Sequence, residues 1–164
     1  MRMLVSGLAL GLVAGLAIGR SWRPLAALSI RWFPLLLVAL VARAAAPFAE
    51  AAAFPLYAAA IGGTTVVAAV NARLVGAALI AAGGALNFVI VTLNRGMPVD
   101  PGAVSMAGGT MPTDRLHVTA TSQTILAALS DVIPVTPLHA AYSAGDVAIA
   151  LGAFLVPFVL LIRR

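Results

Sequence analysis

The sequence predicts an all-α integral membrane protein: a bundle of five transmembrane helices with an ordered extracytoplasmic loop between the fourth and the fifth. Two observations carry this expectation. Of the 164 residues, 62% are hydrophobic and only 9% are charged, whereas a soluble domain is about 45–50% apolar and about 25% charged. A water-soluble fold of this length has too little interior to hide that much apolar surface. The apolar residues also gather into runs long enough to cross about 30 Å of hydrocarbon. Residues 1–164 therefore read as one membrane domain.

The first run is Met3 to Gly19, closed by Arg20, Trp22 and Arg23. Arg2 gives it the look of a signal peptide, but no small-x-small cleavage site follows closely, so it reads as a retained helix. The second runs from about Leu28 to Ala46, with Arg31 and Arg43 near its ends and Pro47 as its stop. The third is Phe54 to Val70, ended by Asn71 and Arg73. The fourth is Leu74 to Leu93, ended by Asn94, Arg95 and Gly96. The fifth is about Ala144 to Ile162, ended by Arg163 and Arg164.

Residues 94–142 form the one long polar stretch and hold five of the ten prolines, which marks irregular structure. Within it LHVTATSQT (116–124) is rich in β-branched residues and predicts a short strand, and QTILAALSDVI (123–133) predicts a short helix lying in the membrane interface. Five crossings put the chain ends on opposite sides. Arg20, Arg23, Arg31, Arg73, Arg163 and Arg164 then share one side, and Arg2, Arg43, Arg95 and Arg115 the other. The positive-inside bias places the C-terminus in the cytoplasm of a bacterial cell and the N-terminus outside. All five acids, Glu50, Asp100, Asp114, Asp131 and Asp146, fall on the outer side, so a site is expected there.

Several chemistries are excluded. With no cysteine there are no disulfides, thiolate ligands or cysteine nucleophiles. The net charge of +5 comes from arginines at segment ends, a pattern suited to membrane lipid headgroups and not to nucleic acid. His117 and His139 lack a third ligand at helical spacing, so no metal is expected, and no sequence motif calls for a cofactor. Arg43 and Glu50 flank Pro47 and are placed to pair across the turn.

GLALGLVAGLAIG (7–19) sets Gly7, Gly11, Gly15 and Gly19 along one stripe. Small residues at four-residue steps let two membrane helices approach closely. The facing surface is a neighbouring helix of the same chain, with Gly62–Gly63, Gly76 and Gly83–Gly84 as candidates, or a second copy, or another membrane subunit.

Asp146 is the leading candidate for chemistry, because a charge at the outer end of a crossing needs a reason. Ser143, three residues earlier, also makes it the acid of a capping box. The stretch from Tyr142 through Gly145, Asp146, Ala148 and Ile149 to Gly152 resembles the last-helix motif of bacterial lipoprotein signal peptidases, and Gly83, Gly84, Asn87, Arg95, Gly96, Val99 and Asp100 resemble that family's preceding motif. The resemblance implies an aspartyl protease in which two carboxylates share a water. Val91 occupies the position of the second aspartate in a direct overlay, so Asp146 needs another partner, with Asp131 and Asp100 as candidates. LNRGMPV, DVIPV and SAGDVAIALGAFLV resemble, over about Leu86 to Leu155, a bacterial family of small polytopic membrane proteins of unknown function.

Asn94, Arg95, Gly96, Met97 and Pro98 predict a helix stop followed by a rigid turn, which can present Arg95 to an acidic partner or headgroup. Asn87 is expected to bond a neighbouring helix. Asn87, Asn94, Arg95, Met97 and Pro98 are thus the binding candidates. Two functions follow: a non-catalytic membrane subunit or binding protein with an extracytoplasmic loop site, and an aspartyl-type hydrolase using Asp146 with Asp131 or Asp100. The absence of an internal repeat argues against a transporter.

Overall fold

The computed structural model describes residues 2–19 and 21–163. Helix α1 is Arg2–Gly19, α2 is the short turn Arg23–Ala26, α3 is Phe33–Ala45, α4 is Ala53–Val70 and α5 is Ala77–Asn94. Strand β1 (Met97–Val99), α6 (Pro101–Met106), β2 (His117–Thr119), β3 (Ile133–Val135) and β4 (Ala140–Tyr142) follow, and α7 (Ala144–Ile162) closes the chain. Arg2–Gly19, Glu50–Val70, Ala77–Asn94 and Ala144–Ile162 are long and apolar enough to cross a membrane. The second expected crossing is shorter, a 13-residue helix extended by a 3-10 turn at Ala46–Phe48.

That second segment begins at Phe33 and not at Leu28. The buried Asn71 side chain clamps the Arg31 backbone, accepting from its N–H at 2.8 Å and donating to its carbonyl at 2.9 Å. Trp32 takes a left-handed backbone (φ 61°) and Pro34 sits in the first turn, so the helix starts there. Gly76, with φ 97°, similarly moves the start of α5 from Leu74 to Ala77. The interfacial helix expected over 123–133 does not form. Asn94 clamps the Ile125 backbone in both directions, Leu126 is left-handed at φ 55°, and only a 3-10 turn at Ala127–Leu129 remains. The strand expected in 116–124 is β2.

The helices stand in a row, α1 beside α7, α7 beside α5, α5 beside α4, and α4 beside α3. The glycine stripe of α1 meets α7, not α4 or α5 as its first candidates suggested. A methyl group at Gly7, Gly11 or Gly19 would collide with the carbonyl oxygens of Ala150, Phe154 and Leu161, so the two backbones lie in direct contact and run parallel. On the other side of α7, Gly152 faces Gly76, and Gly145 faces Gly83, which makes α5 antiparallel to it. α7 is therefore held on both sides by small residues, the contact that stabilises helix pairs where lipid removes the hydrophobic drive.

The buried core sits at the loop end of the row, where Ala46, Ala53, Tyr57, Ile90, Val91, Met97 and Leu116 cluster. β1 pairs with β2 in parallel, Met97 opposite His117, and β3 pairs with β4 as an antiparallel hairpin, Ile133 opposite Tyr142. On the edge of β1 away from β2, Val99 bridges to Asp131. The Asp131 N–H donates to the Pro98 carbonyl at 2.9 Å, and the Asp100 N–H donates to the Asp131 carbonyl at 3.1 Å.

Candidate functional site

The site grows from the first turn of α7. Ser143 is its N-cap: the Ser143 hydroxyl oxygen accepts from the Asp146 N–H at 3.0 Å, and the Asp146 carboxylate accepts from the Ser143 N–H at 3.4 Å. The capping box expected from the sequence is present. It does more than end a helix, because Asn87 of α5 joins it. The Ser143 hydroxyl donates to Asn87 Oδ1 at 2.9 Å, and Asn87 Nδ2 donates to Asp146 Oδ1 at 2.9 Å. The amide is oriented by these two neighbours, one offering a proton and one accepting it. Gly145 makes the arrangement possible, since a side chain there would run into Asn87.

Asp131 arrives from the loop. β1 leaves α5 directly, and its outer edge holds the Asp131 backbone in place. Pro98 lacks an N–H on that edge, which limits the pairing to one bridge. This brings the Asp131 carboxyl near that of Asp146, close enough for the two to interact. Burial pushes the Asp131 carboxyl from its ordinary 3.8 up to about 8, and the neighbouring Asp146 adds to the shift. Two neighbouring carboxyl groups cannot both ionise cheaply, which is why Asp146 works in the same direction as burial on Asp131. Two buried polar atoms here, Asp131 Oδ1 and Ser130 Oγ, have no hydrogen-bond partner among the described residues.

A slot-like cavity of about 340 Å³ lies beside Asp146, lined by residues of α1, α3, α4, α5 and α7. Asp146, Asn87, Tyr57 and Arg43 line one end; Leu28, Ile30 and Asn71 line the other; the walls between are chiefly leucine, isoleucine, valine and alanine. Tyr57 is buried in α4, and the Arg43 guanidinium carbon lies 4.9 Å from its ring centroid. Arg43 forms no ion pair with Glu50; among the described residues the one pair within 4 Å is Asp114 with His117. Asp114 is partly buried, which works against ionisation, yet hydrogen bonds from His117 and from the Leu116 N–H hold its carboxyl below the ordinary value.

The remaining sequence candidates separate. Asp100 caps α6, its carboxylate accepting from the Gly102 N–H at 2.7 Å. Asn94 holds the 125 backbone. Arg95, and not Asn94 or Gly96, takes the left-handed position that ends α5; it is exposed, with its guanidinium 5.8 Å from the Phe54 ring centroid. Met97 and Pro98 are buried, and their strand positions Asp131. Val91 is fully buried in the core cluster. Sequence reasoning missed Tyr57 and the free guanidinium of Arg43. A tyrosine within an otherwise apolar crossing was the available signal, because a hydroxyl in hydrocarbon needs a partner.

A family model matches residues 16–158, nearly the whole chain. The chain belongs to DUF5317, a family of unknown function. No curated protein and no solved structure matches it. Asn87, Asp131, Ser143 and Asp146 of this DUF5317 chain all lie within the matched span, whereas Gly7 and Gly11 precede it.

Proposed function

We propose that this chain is an integral membrane hydrolase of the aspartyl type, with Asp131 and Asp146 as its catalytic pair. The proximity of these two carboxyls carries the reading. In the proposed reaction, the ionised member takes a proton from a water. The water oxygen then attacks a substrate carbonyl carbon while the protonated member gives its proton to the carbonyl oxygen. The tetrahedral product collapses with proton return to the leaving group, which regenerates the pair. Ser130 Oγ and Asp131 Oδ1 are the groups available to hold that water, since buried polar atoms normally find a partner.

In this reading the chain crosses the bacterial cytoplasmic membrane five times, α3 being the short crossing, with the N-terminus and the loop outside and the C-terminus inside. The parallel run of α1 and α7 supports this, because an odd number of crossings returns the last helix in the direction of the first. The competing view, a non-catalytic subunit offering its glycine stripe to another chain, loses its main support, because α7 of the same chain covers the stripe.

The test uses purified protein in nanodiscs with quenched fluorescent peptides carrying an apolar membrane-anchoring segment. Cleavage is expected, with a loss of at least about a hundredfold in Asp146→Asn and in Asp131→Asn, each of which should still unfold in a single thermal transition. No cleavage across the panel, or cleavage that survives in both variants, overturns the assignment.

A further inference from the structure

The cavity has a shape that restricts what enters it. Along α7 it runs from Asp146 to Val156, and along α4 from Tyr57 to Asn71. At 1.5 Å per residue these stretches are about 15 and about 20 Å long. The cavity, about 340 Å³, is thus a slot walled along that length chiefly by apolar side chains. α1 and α3 stand at the two ends of the helix row and do not pack extensively against each other, yet both line the slot through Leu4, Leu36 and Leu40. The slot therefore lies between them.

Its polar end carries an unusual charge. The Arg43 guanidinium has five N–H donors, lies over the Tyr57 ring, and donates no hydrogen bond to any described residue. A half-buried guanidinium at the head of an apolar slot is built to receive an anionic acceptor, by forked hydrogen bonds as well as by charge.

We propose that the slot takes an acyl chain of a membrane amphiphile, with its anionic head held by Arg43 at the end of the slot that Asp146 also lines. The inference rests on the hydrolase reading for the bond that is cut, but occupancy of the slot is measured without cleavage.

The probe is a spin-labelled single-chain alkyl phosphate, added to the protein in zwitterionic phosphatidylcholine nanodiscs and compared with an alkyl trimethylammonium of equal chain length. An immobilised phosphate signal saturating at one per chain is expected, with the ammonium probe at least about tenfold weaker. Arg43→Gln should remove the preference and Arg43→Lys should keep most of it. Thr64→Phe, which fills the slot midway, should exclude both probes, with thermal unfolding as the check on folding. Asp131→Asn should retain binding. Selective binding without any cleavage of substrates supports the slot and removes the hydrolase reading. Equal immobilisation of the two probes, or phosphate binding that survives both Arg43→Gln and Thr64→Phe, overturns the proposal.

Discussion

The two faces of α7 are packed by the same device and differ in what the close approach is used for. Toward α1, Gly7, Gly11 and Gly19 bring two backbones together and nothing polar follows. Toward α5, Gly145 and Gly152 bring the backbones equally close, but Asn87 stands at the point of contact and binds both Ser143 and Asp146. Close packing by itself makes a seam. Close packing around an amide, a hydroxyl and a carboxylate makes a rigid polar centre. Such a centre can hold a second carboxyl at a fixed position, and Asp131 is delivered to it by a strand bridge, not by a helix.

The comparison breaks most visibly at the glycine seam. Gly11→Val should separate α1 from α7, since the new side chain meets the Phe154 backbone, which cannot move aside. A loss of about 3 kcal/mol or more is expected, at or beyond the upper end of the usual cost of overpacking, read as a large drop in thermal unfolding temperature. Gly15→Ala should cost much less, because its new methyl group meets chiefly the Leu161 side chain, which can adjust. Equal effects at the two positions would remove the seam from the account.

On the polar face the expected effect is smaller in stability and larger in chemistry. Asn87→Ala leaves the Ser143 hydroxyl and the Asp146 carboxylate each without one partner, a cost of about 1–3 kcal/mol. On the proposed hydrolase reading it should also slow peptide cleavage, because the amide that orients Asp146 is gone. A change in stability with unchanged cleavage would reduce Asn87 to a packing residue.

Much of this architecture was legible from sequence, for reasons that differ by element. The long apolar runs marked α1, α4, α5 and α7 to within a few residues because lipid demands length and hydropathy together. The start of α3 and the fate of 123–133 were not legible. Each is decided by an asparagine distant in sequence, Asn71 on the Arg31 backbone and Asn94 on that of Ile125. A local pattern cannot announce such a clamp. The stripe was visible but not its partner, since glycines on α4, α5 and α7 all look suitable until the helix order is known. Asp131 and Asp146 were both named from sequence as candidates, but their meeting depends on the bridge from Asp131 to Val99, a contact across 32 residues. Arg43 was assigned to Glu50 because both flank a turn; the ring of Tyr57 holds it instead.

The most direct measurement is the titration of the aspartate carboxyls by infrared difference spectroscopy on ¹³C-aspartate-labelled protein, followed from pH 5 to pH 10. The account predicts one carboxyl that keeps its proton until pH 8 or thereabouts, in the native chain and not in Asp131→Asn. The linked stability has a definite sign. Asp131 has a folded value above its unfolded 3.8, so its contribution is complete below about pH 4 and is lost as the pH rises through about 8. The native chain should lose unfolding temperature over that window, and Asp131→Asn should lose less. If every aspartate is ionised by pH 6, and the unfolding temperature is flat across the window, no proton is shared at this site and the catalytic pair is contradicted.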